Sequence, residues 1–298
     1  MPNMLTFSRT NSFTYFLMGG LVLVSMAVKA QYTDIINSNS PGNSTGAFSV
    51  GTGIYQAETH FFVDRIRVDS LNSESIYNNS MLSLRVGLFK ENLELTYDGS
   101  YSVAFFTSPI PGEKIGIETG VLLNRIGLKY LVYDPFKRSN GKTNVYSWNA
   151  NNGFRWRNLI PAVSVYAGAN IGLSSSPFML EKPSASPRAM LVTQSNITPR
   201  FVLILNGIYD YIGDDVYGEK IFIASLSHAL KAKWSLFVEG QYSIQNAYTE
   251  KLLRVGGAFL YKRNIQFDIF GGLNFEEAPK KVFAGLGFSY RIDNHKIK

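Results

Sequence analysis

Cysteine is absent from the 298 residues, and histidine occurs only three times. The first absence removes disulfide frameworks, zinc–thiolate sites and cysteine nucleophiles together. The second leaves His60, His228 and His295 as the whole stock for histidine metal ligation or general-base work. Charge is also scarce, at 17% of residues. Beyond Val28 no uncharged apolar run reaches the roughly 20 residues a spanning helix needs, which excludes a helical membrane protein.

What is abundant is aromatic residues and glycine, with 17 Tyr, 21 Phe and 26 Gly. A barrel crossing an outer membrane needs such a mixture, with aromatics for the interfacial girdles and small residues where the interior is crowded. The N-terminus fits that destination. Arg9 precedes an apolar run from Phe13 to Val28, and Val28-Lys29-Ala30 offers small or branched residues at the positions a signal peptidase reads before Gln31. Residues 1–30 are therefore expected to be a cleaved signal peptide, with the mature chain in the outer membrane of a Gram-negative bacterium. An uncleaved anchor helix is the competing reading, and the run is short for it. Losing Arg9 and Lys29 lowers the formal charge from +7 to 7 − 2 = +5, an excess that anionic outer-leaflet lipid can meet without an acidic substrate.

Period-two alternation recurs in about twelve segments of barrel-strand length. Tyr55, Ala57, Thr59, Phe61 and Val63 share one face, opposite Gln56, Glu58 and His60. Leu82 to Leu88 alternate with Ser83, Arg85 and Gly87, and Leu93, Leu95 and Tyr97 with Glu94, Thr96 and Asp98. Ile126 to Val132 oppose Arg125, Gly127 and Lys129, and Val163 to Ile171 follow the same rule. Weaker strands are expected near 188–196, 200–209 and 220–228. Trp234 to Ile244, Val255 to Tyr261 and Ile265 to Leu273 alternate again, and Val282 to Ile292 closes the series. The fold class this predicts is all-β: a transmembrane antiparallel β-barrel of about 12 strands, outer-membrane type, spanning 51–292, with 293–298 a periplasmic tail. A soluble β-sandwich is disfavoured by strands of around ten residues and by aromatic strand ends. Long outward loops are expected near 64–80, 104–118, 173–187 and 210–219, and short turns at 90–92, 197–200, 229–232 and 262–264. The final strand is expected to pair with the first and so remove the sheet edge.

The candidate lumen-facing charges are Glu58, Arg85, Glu94, Asp98, Lys129, Arg188, Glu239, Arg254, Asp268 and Arg291. Acids and bases are nearly balanced there. Ionised groups in a narrow interior must pair or stay hydrated, so either a pairing network that fills the barrel or a charge-lined conduit is expected. The segment 31–50 is rich in Asn, Ser and Gly and carries a turn signal at Ser40-Pro41-Gly42-Asn43, which argues against a strand. It is either a solvated periplasmic tail or a plug folded into the lumen.

Residues 134–158 break the loop rhythm. They gather Lys137, Arg138, Lys142, Arg155 and Arg157 with Tyr146, Trp148, Phe154 and Trp156. Such interleaving suits a belt at headgroup level or a docking surface for a periplasmic partner protein, with Trp148, Arg155, Trp156 and Arg157 as contact candidates. Export makes a nucleic-acid partner implausible.

Tyr32-Thr33-Asp34-Ile35-Ile36-Asn37-Ser38-Asn39-Ser40-Pro41-Gly42, Ala47-Phe48-Ser49-Val50-Gly51, Leu128 to Pro135 and Leu159 to Asn170 resemble an outer-membrane barrel family labelled for the MetA-pathway of phenol degradation. The family pattern has Arg where Ser40 stands. The resemblance implies a transport barrel acting on hydrophobic or aromatic molecules.

No enzyme is expected. Ser227 and His228 are adjacent, so a strand points them to opposite faces, and no His-x-Ser arrangement of an outer-membrane phospholipase is present. No cofactor or metal site is expected, and Asp214-Asp215 reads as a solvated turn. The function expected is a channel for small molecules. The alternative is a non-conducting structural or secretion-accessory barrel working through its loops and 134–158.

Overall fold

The computed structural model describes residues 35–107, 116–136, 156–246 and 248–294. Twelve strands follow one another: β1 (Ile54–Val68), β2 (Ser73–Gly87), β3 (Leu93–Thr107), β4 (Gly116–Tyr133), β5 (Ala162–Ile171), β6 (Ala185–Asn196), β7 (Phe201–Asp210), β8 (Glu219–Lys231), β9 (Trp234–Gln245), β10 (Thr249–Lys262), β11 (Ile265–Asn274) and β12 (Lys280–Asp293). Each pairs antiparallel with its sequence neighbours, and β12 pairs with β1, so the sheet closes into a barrel. Closure runs from Tyr55 against Ile292 to Val63 against Ala284 and beyond. It removes the unpaired edge that would otherwise template aggregation. We call the end where β1 begins and β12 finishes the near end, and the opposite one the far end.

Alternation decides which side chains face out. Phe61, Leu286, Ile269, Leu236 and Leu191 are exposed on the outer wall, while their sequence neighbours point inward and are buried or half-buried. Along β1 the outward residues from Tyr55 to Val63 cover roughly 27 Å of strand at about 3.4 Å per residue. A tilt near ~40° reduces this to roughly 21 Å of height, close to the apolar band of about 25 Å that an outer membrane requires. Aromatics gather at the near end of this band, where the Trp234 and Phe259 rings lie 4.6 Å apart and Tyr261 and Phe267 6.3 Å apart. Past Val63 the outward positions become Arg65 and Arg67, and Arg65 Nε lies 2.7 Å from Glu74 Oε1 on β2.

That extension corrects the expected loop at 64–80. The strands continue through it, leaving only Asp69–Asn72 between β1 and β2. The loop closes with Asn72 in the left-handed region, its N–H donating to Asp69 O at 3.2 Å. The hydrogen-bonded ladder needs no lipid to continue, so a change of outward chemistry does not end a strand. Strands also occupy both flanks of the loop expected at 104–118, and the connections β9–β10 and β11–β12 at the far end are short. The long-outward rhythm therefore holds for only some of the loops.

Candidate functional site

Residues 35–50 form no strand or helix and run across the interior near the near end. Ten of the twelve strands supply side chains that bond to them. Glu58 of β1 accepts from the Ser38 hydroxyl at 2.8 Å, the Ser40 hydroxyl at 2.8 Å and the Ser40 N–H at 3.1 Å. Glu239 of β9 accepts from the N–H groups of Asn43 and Ser44, each at 3.0 Å. Asn206 of β7 accepts from Thr45 N–H at 2.7 Å and donates to Thr45 O at 2.9 Å. Gln194 of β6 accepts from Ala47 N–H, and Ser164 of β5 donates to Ala47 O. Glu94 of β3 accepts from Val50 N–H at 2.9 Å. Arg85 of β2 donates to the carbonyls of Asn37 and Phe48, Lys129 of β4 to those of Gly46 and Phe48, Gln266 of β11 to Ser40 O, and Arg291 of β12 to Ile35 O. Irregular backbone at membrane depth is tolerated only where protein satisfies its N–H and C=O groups, and here the barrel's inner wall does so.

The segment also has an apolar anchor. Ala47, fully buried, sits among Leu131, Ala162, Tyr166, Val192, Ile208 and Ile223. Small residues at 38–47 let the backbone approach the wall closely; a β-carbon on Gly42 would lie 2.6 Å from Glu239 Oε2.

All ten candidate charges lie on inward faces. Most of them pair. Arg85 contacts Glu94 through two nitrogens at 3.1 and 3.2 Å and stands 3.8 Å from Glu58. Lys129 Nζ lies 2.8 Å from Glu94, and Arg254 pairs with Glu239. Arg188 pairs with Asp210, which also accepts from Arg125 at 3.1 Å and Asn170 at 2.5 Å. Arg291 Nη2 is 3.6 Å from Asp293. Asp98 accepts from Ser83 at 2.5 Å. Asp268 is fully buried, with Oδ1 3.6 Å from His60 Nε2. Trp148 and Arg155 lie outside the described residues, whereas Trp156 and Arg157 are exposed at the near end.

The interior is less uniformly polar than the sequence reading assumed. Phe62, Phe237, Phe270, Phe283 and Leu252 form a second apolar cluster inside the wall made by β1, β12, β11, β10 and β9. Their parity was readable: Phe62 follows Glu58 and His60 by two-residue steps, Phe237 precedes Glu239, and Phe270 follows Asp268. Inward glycines supply the berths for these rings. A β-carbon on Gly272 would lie 2.4 Å from Phe283 Cζ, and one on Gly285 2.5 Å from Phe62 Cβ. Arg125 and Asp210, which complete the β4–β7 charge cluster, were likewise absent from the candidate charges.

At the far end the loop between β5 and β6 turns inward. Ser176 Oγ donates to Val121 O at 2.6 Å, Met179 is buried, and Phe178 packs 6.3 Å from the Tyr77 ring. The interior is thus crossed by chain near one end and covered in part at the other.

One hydroxyl stands against a histidine. Ser40 Oγ lies 2.7 Å from His60 Nε2 and 2.8 Å from Glu58 Oε2, and Asp268 approaches the same ring nitrogen rather than Nδ1. A hydrolytic triad needs the acid on the opposite nitrogen to orient the base. Among the described residues no group of three or more His, Cys, Asp or Glu is placed to hold a metal ion.

A closed antiparallel ring with an apolar outer band and a polar-and-aromatic interior defines a transmembrane β-barrel of outer-membrane type. The chain belongs to the family described as "Putative MetA-pathway of phenol degradation", whose pattern matches residues 38–292. No curated protein matches it. Among solved structures it is similar to the translocator domain of the autotransporter NalP from Neisseria meningitidis, at 9% identity and TM-score 0.46, covering 94% of this chain and 96% of that one. It is similar to the CymD monoaromatic hydrocarbon channel at 10% identity and TM-score 0.42, covering 83% and 90%. The KdgM porin gives 10% identity and TM-score 0.40, covering 78% and 98%.

Proposed function

We propose that the protein is an outer-membrane channel for small molecules, hydrophobic and aromatic ones among them, and that residues 35–50 are a plug that holds it shut from the periplasmic side. In this reading residues 1–30 direct export and are removed, the near end faces the periplasm, and β1 leads directly from the plug. The observation that carries it is the use of inner-wall charges. Glu58, Glu94, Arg85 and Lys129 bond to the backbone or hydroxyls of 35–50 as well as contacting one another, and Glu239 does so while paired with Arg254. A barrel needing only a rigid filled core could have satisfied these groups entirely by mutual pairing.

The test is single-channel recording in planar bilayers of refolded 31–298, with and without residues 32–48. The full chain should be closed or open only briefly, and the shortened chain should conduct steadily. Equal conductance in both would remove the plug role. No conductance in either would replace the channel by a non-conducting accessory barrel. Sequencing the N-terminus of the protein recovered from outer membranes should give Gln31 first.

A further inference from the structure

We infer that the outer face of β2, β3 and β4 is where a second copy of this chain docks within the membrane, forming a two-fold dimer. This goes beyond the channel reading and does not depend on it. Alternation sends Asn78 and Ser80 of β2, Tyr101 of β3 and Asn124 of β4 outward. Their neighbours point the other way: Asn79 and Ser102 are buried, and Arg125 bonds to Asp210 inside the barrel. Asn78 and Ser80 are exposed, and Asn124 is half-buried.

These polar groups lie among apolar ones at membrane depth. Asn78 is paired with Val63 on one side and Val103 on the other, and Ser80 with Phe61 and Tyr101. Asn124 is paired with Gly99 and stands two residues from exposed Ile126. By the same alternation, no outward position of β1 or of β5 to β12 carries an amide side chain. Thr59, an outward hydroxyl on β1, donates to Phe288 O at 3.3 Å. Among the described residues no such bond reaches the side chains of Asn78, Ser80 or Asn124. Hydrocarbon offers them no partner, and an amide left unpaired there is costly.

Their chemistry selects the partner. Asn78, Ser80, Tyr101 and Asn124 are all uncharged, so a lipid phosphate finds no cation among them. An amide or a hydroxyl both donates and accepts. A second copy therefore supplies the matching groups, and a two-fold axis through the patch sets each against its own kind. Polar side chains that meet across lipid-embedded surfaces hold membrane segments together in this way. A groove of about 540 Å³ on the outer wall, bordered by Phe61, Val63, Asn78, Ser80, Tyr101 and Leu286, leaves room for the copy's side chains. Because the outward amides are confined to one side of the ring, the contact closes at two copies and does not propagate.

The absence of cysteine from the chain lets a single introduced thiol report the contact. Ser80→Cys, Asn124→Cys and Val238→Cys are to be made in refolded 31–298, placed in phosphatidylcholine vesicles and treated with a short bis-maleimide. Val238 is exposed on β9, six places from β3 in the ring. Cross-linked dimers should form through the thiols at 80 or 124 and not through the one at 238. Counting photobleaching steps of labelled chains in the same vesicles should give two per particle. The double change Asn78→Leu with Asn124→Leu should weaken dimerisation about tenfold, while heat-modifiable migration on gels verifies that the barrel is folded. Single bleaching steps at every protein-to-lipid ratio, cross-linking at 238 but at neither patch position, or undiminished dimers in the folded double variant would overturn the inference. Adducts of Ser80→Cys with a different protein in outer membranes, without dimers, would overturn the choice of a second copy.

Discussion

Lys129 Nζ lies 2.8 Å from Glu94 Oε1 with both side chains fully buried, and the same ammonium donates to the carbonyls of Gly46 at 2.7 Å and Phe48 at 3.1 Å. Glu94 in turn accepts from Val50 N–H at 2.9 Å and from Arg85. One ion pair between neighbouring strands therefore also holds two points of the interior segment. Burying these ions is costly, and the cost is offset only because every partner is present.

Removing one member should be severe. Lys129→Met leaves Glu94 with a single cation and Gly46 O without its donor, Phe48 O keeping that of Arg85, and should cost about 3–5 kcal/mol, read as a lowered urea midpoint of the refolded barrel. It should also raise the frequency of channel openings. The double change Lys129→Met with Glu94→Gln should recover much of the loss, because the uncompensated charge disappears with it.

The phenylalanine berths make a second prediction. Gly285→Val drives a side chain into Phe62 and Phe270 and should destabilise by about 1–3 kcal/mol through overpacking. Gly240→Ala is the control, since its added β-carbon meets nothing within 4 Å. It should change stability by less than about 0.5 kcal/mol. The same urea titrations separate the two.

The outer wall supplies a third. Leu286 is exposed and lies between Phe61 and Ile269 within the apolar band. Leu286→Arg should cost about 2–4 kcal/mol in a bilayer, and Val282→Arg, nearer the far boundary, about 0–1 kcal/mol. Equal costs at the two positions would contradict the placement of the band.

Asp69, in the exposed turn between β1 and β2, has its pKa held below the ordinary carboxylate value, first by a hydrogen bond from Lys280 and then by the charges of Lys280 and Arg67. A folded-state pKa below the unfolded one contributes stability at pH above the unfolded value, and that contribution is lost as pH falls through the folded value. Carboxylate titration by NMR should give Asp69 a midpoint below that of a free aspartate, and Lys280→Met should move it upward. An unchanged midpoint would show that the ion pair does not persist in solution.

Much of the barrel was legible because lipid and interior impose opposite chemistry on alternating residues. Leu286 and Phe288 point out, and Ser289 and Arg291 in, as period two requires. The reading faltered where that opposition lapses. Arg65 and Glu74 on the outer face look like a loop, yet they lie on strands that have left the lipid and kept their ladder. It faltered again with Phe237 and Phe283, since an inward aromatic breaks the rule that inward means polar. The rule fails there because a ring can be buried against an inward glycine on the adjacent strand, a match that only the register reveals.

By itself the sequence determined the period, the strand number and the side each residue faces, because those follow from two solvents acting on a chain whose side chains alternate. Only the tertiary structure decided which inward residues meet. Ser44 bonds to Glu239 across 195 positions of chain, and Arg125 of β4 reaches Asp210 of β7 three strands away round the ring. Such relationships depend on closure and stagger around the whole barrel, and no local pattern along a strand carries that information.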